Sequence, residues 1–236
     1  IDGGLIFFSS GNEGAPMSGY PAAYRDYISV TAFAPDFLPA YYTNYGPGCN
    51  ISAPGGEING HSGGERAAIL STVVSEIDEV DYGYMQGTSM SCPHASGVAA
   101  LGLSYALQKG KSFTREEFQN MILTSVNDLN CYLDDEVKTT GSTIKLMDYY
   151  GQMGTGAIDA YKLLMQVEGT PCLNVPVRKA YRASLAGFFG GGAKDLTYIG
   201  VEVPDEAREA LGIEGTPKIY EGELQIKCSR TGCGKI

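Results

Sequence analysis

Histidine, positive charge and long apolar runs are scarce in this chain, and each shortage closes off a class of function. Only His61 and His94 occur among 236 residues, so any chemistry that needs an imidazole has two candidates. Lys and Arg number 17 against 27 Asp and Glu, a formal net charge of −10. Phosphate binding needs clustered cations, so no nucleic-acid partner is expected. No basic amphipathic stretch suits a membrane surface, and no run reaches the ~18 apolar residues of a membrane span. The longest low-polarity stretch, "ASGVAALGLSYAL" (95–107), is short and rich in Gly, Ala and Ser, and reads as a core helix. No internal repeat or low-complexity segment is present. Cysteines at 49, 92, 131, 172, 228 and 233 lack metal-ligand spacing. In an exported protein Cys131 could pair with Cys172, and Cys228 with Cys233; the alternative is scattered free thiols.

What is present describes an ordinary globular chain, 43% hydrophobic and 19% charged, with 32 glycines that imply many tight connections. "LIFFSS" (5–10), "YISVTAFA" (27–34) and "NISAPGG" (50–56) are apolar runs bounded by turn residues, as expected of strands buried on both faces. "ILSTVVS" (69–75) and "YGYMQG" (82–87) flank the acidic "EIDEVD" and predict a hairpin with a solvated loop. Residues 88–108 carry no formal charge, which predicts a helix enclosed by the rest of the domain. Thr114 and Glu117 form a capping-box signature ahead of an apolar face of Phe118, Met121, Ile122 and Val126. A further helix over 156–167 would present Ile158, Tyr161, Leu164 and Met165. Strands followed by helices in this order predict an α/β fold with a partial parallel sheet flanked by helices.

Composition shifts near Glu168. "FFGGGAKDLTYIGVEV" (188–203) reads as a glycine hinge entering a strand, and "PKIYEGELQIKC" (217–228) as two strands about a turn at Glu221-Gly222. We therefore expect two parts, 1–168 and a small β-rich C-terminal segment, 169–236, too short for a free-standing sandwich of ~100 residues. The chain opens "IDGGLIFFSS", already at the edge of a strand, and is expected to begin at an internal cut.

The stretch "GTSMSCPHASG" (87–97) carries the chemistry. Ser89 would open the uncharged helix, where backbone N–H groups are unpaired and the helix dipole is positive. An attacking alkoxide, and the anion that its attack produces, are stabilised there. Gly87 permits close approach of a substrate, and Thr88 can brace the turn. Pro93 lacks the N–H that would bond the Ser89 carbonyl. An N-cap serine without chemistry is the competing reading. "GTSMS" does not have the Gly-x-Ser-x-Gly elbow of the α/β hydrolases.

"GTSMSCPHASGVAAL" resembles the serine box of the subtilisin-like serine proteases, the subtilases (peptidase S8), and "LIFFSSGNEG" resembles their oxyanion segment. "YPAAYRDYISVTA", "YTNYGPGCNISAPG" and "YGQMGTGAIDAYKLL" are similar to three further stretches of that family, in the family's order over residues 1–167. The resemblance implies a serine endopeptidase working through an acyl-enzyme. Ser89 would be the nucleophile, and Asn12 would face the oxyanion alongside the Ser89 N–H. Ser9, Ser10 and Gly11 would pair with an extended peptide or protein substrate. Gly19, with Tyr20, Pro21 and Ala22 beside it, would leave room for a large apolar P1 side chain. Met90 would be open to oxidation next to the oxyanion site.

The resemblance also implies residues that the chain does not supply. His94 falls about 140° around the helix from Ser89 and belongs to the serine box; His61 follows the oxyanion segment. The family's histidine and aspartate boxes precede that segment and neither is found, Asp2 in "IDGG" being no match. The expectation is the C-terminal half of a subtilase catalytic domain, inactive alone, with the upstream half of the same domain as partner and self-association through its bare edge. A non-catalytic pseudoprotease or peptide-binding module is the alternative. No cofactor is expected, although carbonyls near Ala22, Tyr24 and Tyr27 resemble a weak calcium site. The family places the parent protein outside the cell or in the cell envelope.

Overall fold

The computed structural model describes residues 4–74, 81–185, 188 and 197–236. Asp2 and most of the acidic loop at 75–80 fall outside these, as does 189–196 of the expected hinge. Strands β1 (Phe7–Ser9), β2 (Ile28–Phe33) and β3 (Ile51–Pro54) form successive parallel pairs. The hairpin β4 (Ile69–Val73) and β5 (Asp81–Met85) follows as expected. It leads into α1 (Thr88–Gln108) and α2 (Arg115–Thr124). Short strands β6 (Val126–Asn127) and β9 (Ala157–Ile158) complete a sheet of order β1-β2-β3-β9-β6, with β6 antiparallel. Between them lies the hairpin β7 (Val137–Thr139) and β8 (Thr143–Lys145), and α3 (Ala160–Glu168) follows.

The sheet holds one face of the core. All six residues of β2 are buried. Ile28, Val30, Ile51 and Ala53 pack against Ala95, Ala99 and Ala106 of α1, Phe118, Met121 and Ile122 of α2, and Leu163 and Val167 of α3. The α1–α3 crossing is close because Gly102 carries no side chain. A methyl there would lie 2.7 Å from Leu163 Cδ2 and 3.1 Å from Phe118 Cζ.

Several expectations need correction. The capping box of α2 is present, but the helix ends at Thr124 and Val126 joins β6. The third helix begins after Asp159, whose side chain caps Lys162 N–H; Ile158 lies on β9 and Tyr161 is exposed. Its inward residues are Lys162, Leu163, Gln166 and Val167, since the Asp159 cap starts the helix four residues later than the apolar pattern suggested. Strand β1 is an edge and only half-buried, because no described strand lies on its other side. Helix α1 is not enclosed. Its Ala95, Ala99, Gly102 and Ala106 face the core, whereas Ser89, Pro93, Gly97, Ala100, Leu101, Ser104 and Leu107 face solvent. The sheet and α3 cover one side of the helix, and no described element covers the other.

Beyond Gly169, which closes α3 in the left-handed conformation, the tail builds its own apolar cluster. Strands β10 (Ala180–Ser184), β11 (Lys218–Tyr220) and β12 (Glu223–Lys227) form an antiparallel sheet of order β10-β12-β11, with α4 (Asp205–Leu211) alongside. The turn at Glu221-Gly222 has φ of 50° and 76°, the pair of positive values that a two-residue hairpin favours. The strand expected near 197–203 is not formed; Tyr198, Val201 and Val203 pack on the cluster as irregular chain. All six cysteines are free thiols, the second of the two alternatives left open by their spacing. Burial pushes the Cys49 thiol up to about 11 and raises Cys92 and Cys228 as well, which keeps them protonated.

Candidate active site

The candidate site lies where β1 and β3 end and α1 begins, at the carboxyl ends of parallel strands, where open α/β sheets place ligands. Gly87 precedes α1 at φ 145°, ψ 161°, a conformation that L side chains rarely adopt. Its N–H donates to the Gly55 carbonyl just past β3, at 3.0 Å. The first turn of α1 then distributes its N–H groups unequally. Thr88 N–H donates to Asn12 Oδ1 at 2.9 Å, and Met90 and Ser91 N–H donate to the Gly87 carbonyl. Ser89 N–H has no acceptor among the described residues.

Asn12 stands opposite, three residues past β1. Its Oδ1 also accepts from the Thr88 hydroxyl at 2.9 Å. With the oxygen held by two donors, the amide Nδ2 is left outward and has no acceptor among the described residues. Asn12 Nδ2, Asn12 Oδ1 and Ser89 N are each 3.7 Å from the point that a side-chain carbon on Gly87 would occupy. Two unengaged N–H donors thus flank one small volume, beside an exposed serine hydroxyl at the positive end of a 21-residue helix.

Asn44 holds the Asn12 loop in place, and sequence reasoning did not single it out. Its Oδ1 accepts from Glu13 N–H (3.0 Å) and Ala15 N–H (2.9 Å). Its Nδ2 donates to the Ser10 carbonyl (3.0 Å) and Glu13 Oε2 (2.8 Å), and its own N–H reaches the Gly11 carbonyl. Gly11, at φ 115°, makes room for it; a side-chain carbon there would fall 2.2 Å from Asn44 Nδ2. Tyr42, also missed, places its single O–H donor 2.9 and 2.6 Å from the Gly55 and Gly56 carbonyls. Burial pushes its phenol up, so it remains a neutral donor beneath the Gly87 turn. The signal for both residues lay in the quoted "YTNYGPG" stretch and its flank, but nothing local tells a buried hub from a turn residue.

The other expected residues are brought to the same place. Ser9 and Ser89 line one open groove with Leu5, Phe7, Cys92 and Pro93. Ser10 is buried, and its carbonyl accepts the Gly19 N–H at 2.8 Å, which sets Gly19 against the 9–11 segment. The histidines are elsewhere engaged. His94 Nδ1 lies 2.8 Å from the Met90 carbonyl; His61 Nδ1 accepts from Gly63 N–H, and its Nε2 is 3.9 Å from Asp36 Oδ2. Among the described residues no imidazole is hydrogen-bonded to the Ser89 hydroxyl.

Of the carbonyls near Ala22, Tyr24 and Tyr27, that of Tyr24 already accepts a hydrogen bond. Tyr24 O is taken by Tyr27 N–H at 3.0 Å, and neighbouring Asp26 is turned to Arg25, 3.9 Å away. No group of three His, Cys, Asp or Glu among the described residues could hold a metal.

A parallel sheet, a serine at a helix start and a facing asparagine define the class of subtilisin-like α/β proteins, and comparison with known proteins agrees. The sequence profile of the Subtilase family (peptidase S8) matches residues 2–151, and the chain belongs to that family. The extracellular basic protease of Dichelobacter nodosus is 30% identical over 222 residues, covering 87% of this chain and 32% of that protein. A match of that span necessarily runs past α3 into the tail. Subtilisin BL of Lederbergia lenta is 31% identical over 144 residues, 60% of this chain and 46% of its own. Among solved structures, a protease from Pseudoalteromonas arctica superposes with a TM-score of 0.53 at 26% identity, covering 70% of this chain and 43% of that one. The chain thus spans about a third of the length of the Dichelobacter protein.

Proposed function

We propose that this chain carries the nucleophile and the oxyanion-binding half of a serine endopeptidase, and that the general base and its aspartate lie on sequence upstream of it. The observation that supports the reading is the Thr88–Asn12 clasp. By occupying Asn12 Oδ1, it turns Nδ2 to the side where Ser89 N–H is also unengaged. Ser89 Oγ would attack a scissile carbonyl and give its proton to the upstream base. The carbonyl oxygen would take up negative charge between the two donors, and the amine would leave with that proton. Water would then release the acyl group from Ser89. Ser9, Gly11 and Gly19 would hold the peptide, with buried Ser10 bracing Gly19 from behind and a large apolar P1 residue over Gly19. The division at residues 168 and 169, and an extracellular or envelope location, belong to the same proposal; relatives named as an extracellular basic protease and a cell wall-associated protease support the location.

The upstream partner would occupy the groove between β1 and α1. That surface combines a strand edge with Leu5, Phe7, Ala99, Ala100 and Leu103, and it continues to Ser89. The test uses the active polypeptide that contains this chain. Ser89→Ala should abolish both peptide hydrolysis and fluorophosphonate labelling. Asn12→Ala should retain labelling and lower kcat by about 10²–10³-fold, the usual cost of one oxyanion donor. Full activity in the Ser89→Ala variant would end the proposal.

A further inference from the structure

Glu57 and Lys138 form the most buried ion pair among the described residues, and the chemistry above makes no use of it. Lys138 lies on β7, and its ammonium is 3.1 Å from Glu57 Oε2, 3.0 Å from the Pro39 carbonyl and 3.3 Å from Asp36 Oδ2. The ammonium thus donates to Glu57 and Pro39 and lies in ion-pair contact with Asp36. Glu57, in the loop after β3, is fully buried; its Oε2 also accepts Tyr41 N–H at 2.9 Å, and its Oε1 has no partner among the described residues. A carboxylate so enclosed is tolerated only with a counter-charge in contact. A lysine drawn in from a distant hairpin must therefore hold something in place.

What it holds is the approach to Ser89. Residues 55–58 are bonded twice to residues 86–87. Gly87 N–H donates to Gly55 O at 3.0 Å, and Ile58 N–H donates to Gln86 Oε1 at 2.5 Å. Glu57 sits between those two bonds. Tyr41, whose N–H is on the Glu57 carboxylate, accepts at its hydroxyl from Gln86 Nε2 (3.1 Å) and Asn59 Nδ2 (2.9 Å). The β7–β8 tip closes the assembly. Gly141 N–H donates to the Asn59 carbonyl at 2.8 Å, and a methyl on Gly141 would fall 2.3 Å from the Tyr41 ring. Gln86 and Gly87 immediately precede Thr88 and Ser89, so the placement of residues 55–58 sets the placement of the nucleophile turn.

We propose that Lys138 is a positioning residue for Ser89: through Glu57 it fixes the 55–58 segment to which Gln86 and Gly87 are bonded. The inference rests on Ser89 as the nucleophile. Removing both charges, as in Lys138→Met with Glu57→Gln, avoids leaving a lone buried carboxylate, a replacement that proteins often tolerate.

In the active polypeptide, the double variant should keep a melting temperature near that of the parent. Its kcat should fall at least about tenfold, with KM within about twofold, as a misplaced reacting group predicts. In this chain as it stands, Gly87 amide exchange should be slow in the parent, comparable to the amides of β2, and faster in the variant. Lys145→Met, on exposed β8, should change neither. A folded double variant with parental kcat would overturn the proposal. Gly87 exchange in the parent at the rate of an open loop would overturn it too, without requiring any variant to fold. Should Ser89→Ala remain active, the functional reading fails, while Gly87 exchange still judges the anchoring by Lys138.

Discussion

At the scale of single residues, a few side chains saturate their hydrogen bonds so that others can remain open. Asn12 offers one end to Thr88 and keeps the other unengaged, and this depends on Asn44 holding the loop from both sides. Asn44→Ala would strip the acceptor from the Glu13 and Ala15 N–H groups, while the buried Ser10 carbonyl keeps the Gly19 N–H. We expect a loss of about 1–2 kcal/mol, since a fully buried polar group left without a partner costs about 1–3 kcal/mol and these N–H groups are only partly buried. Urea denaturation of the isolated chain measures it; a loss within error of zero would mean that the loop is held by other contacts.

Among the elements, α1 and α3 are joined at their carboxyl ends by more than apolar packing. Lys109, just past α1, places its ammonium 2.8 Å from Glu168 Oε1 at the end of α3 and over the Tyr105 ring, whose hydroxyl donates to the same carboxylate. Lys109, with Tyr105 next, holds the Glu168 carboxyl below the usual carboxylate range, and Glu168 raises Lys109 in turn. A carboxyl lowered by folding adds stability above its ordinary value of about 4.3. That contribution fades as the pH falls through the lowered folded value. Thermal melts of Glu168→Gln should therefore show a lower midpoint than the parent near pH 7. The gap should close under acid conditions, and an unchanged gap at about pH 3, below the ordinary carboxylate value, would sink the assignment. The pair is exposed, so the effect should shrink in high salt.

For the molecule as a whole, the free edge of β1 and the uncharged outer face of α1 form one continuous surface with Leu101 and Leu107 exposed. Bare edges and apolar faces of this kind pair with whatever fits them. The isolated chain should self-associate and, with the base and its aspartate upstream as proposed, show no useful peptidase activity, since removal of a triad member costs orders of magnitude. Sedimentation velocity should find species above 25.1 kDa that dissociate on dilution, and Ala100→Lys, on the outer face of α1, should shift them to monomer. A dilution-independent monomer of the parent chain would contradict this view of the surface.

How much of this was legible beforehand follows from the range over which each feature is decided. Strands β1, β2 and β3, the β4–β5 hairpin, the Thr114 capping box and the start of α1 all rest on neighbours within a few residues, and the sequence alone determined them. So did Ser89 and Asn12 as candidates, through resemblance to a known family. The β7–β8 hairpin in "VKTTGSTIK" was readable as alternation about a Thr-Gly-Ser turn and was passed over. Only the tertiary structure decided that the uncharged helix is covered on one side, that Asn44 clasps the Asn12 loop, and that Lys138 reaches Glu57. The last two are contacts between residues 31 and 81 positions apart. Burial and pairing at that distance depend on how the sheet stacks its layers, which local propensity and periodicity do not encode.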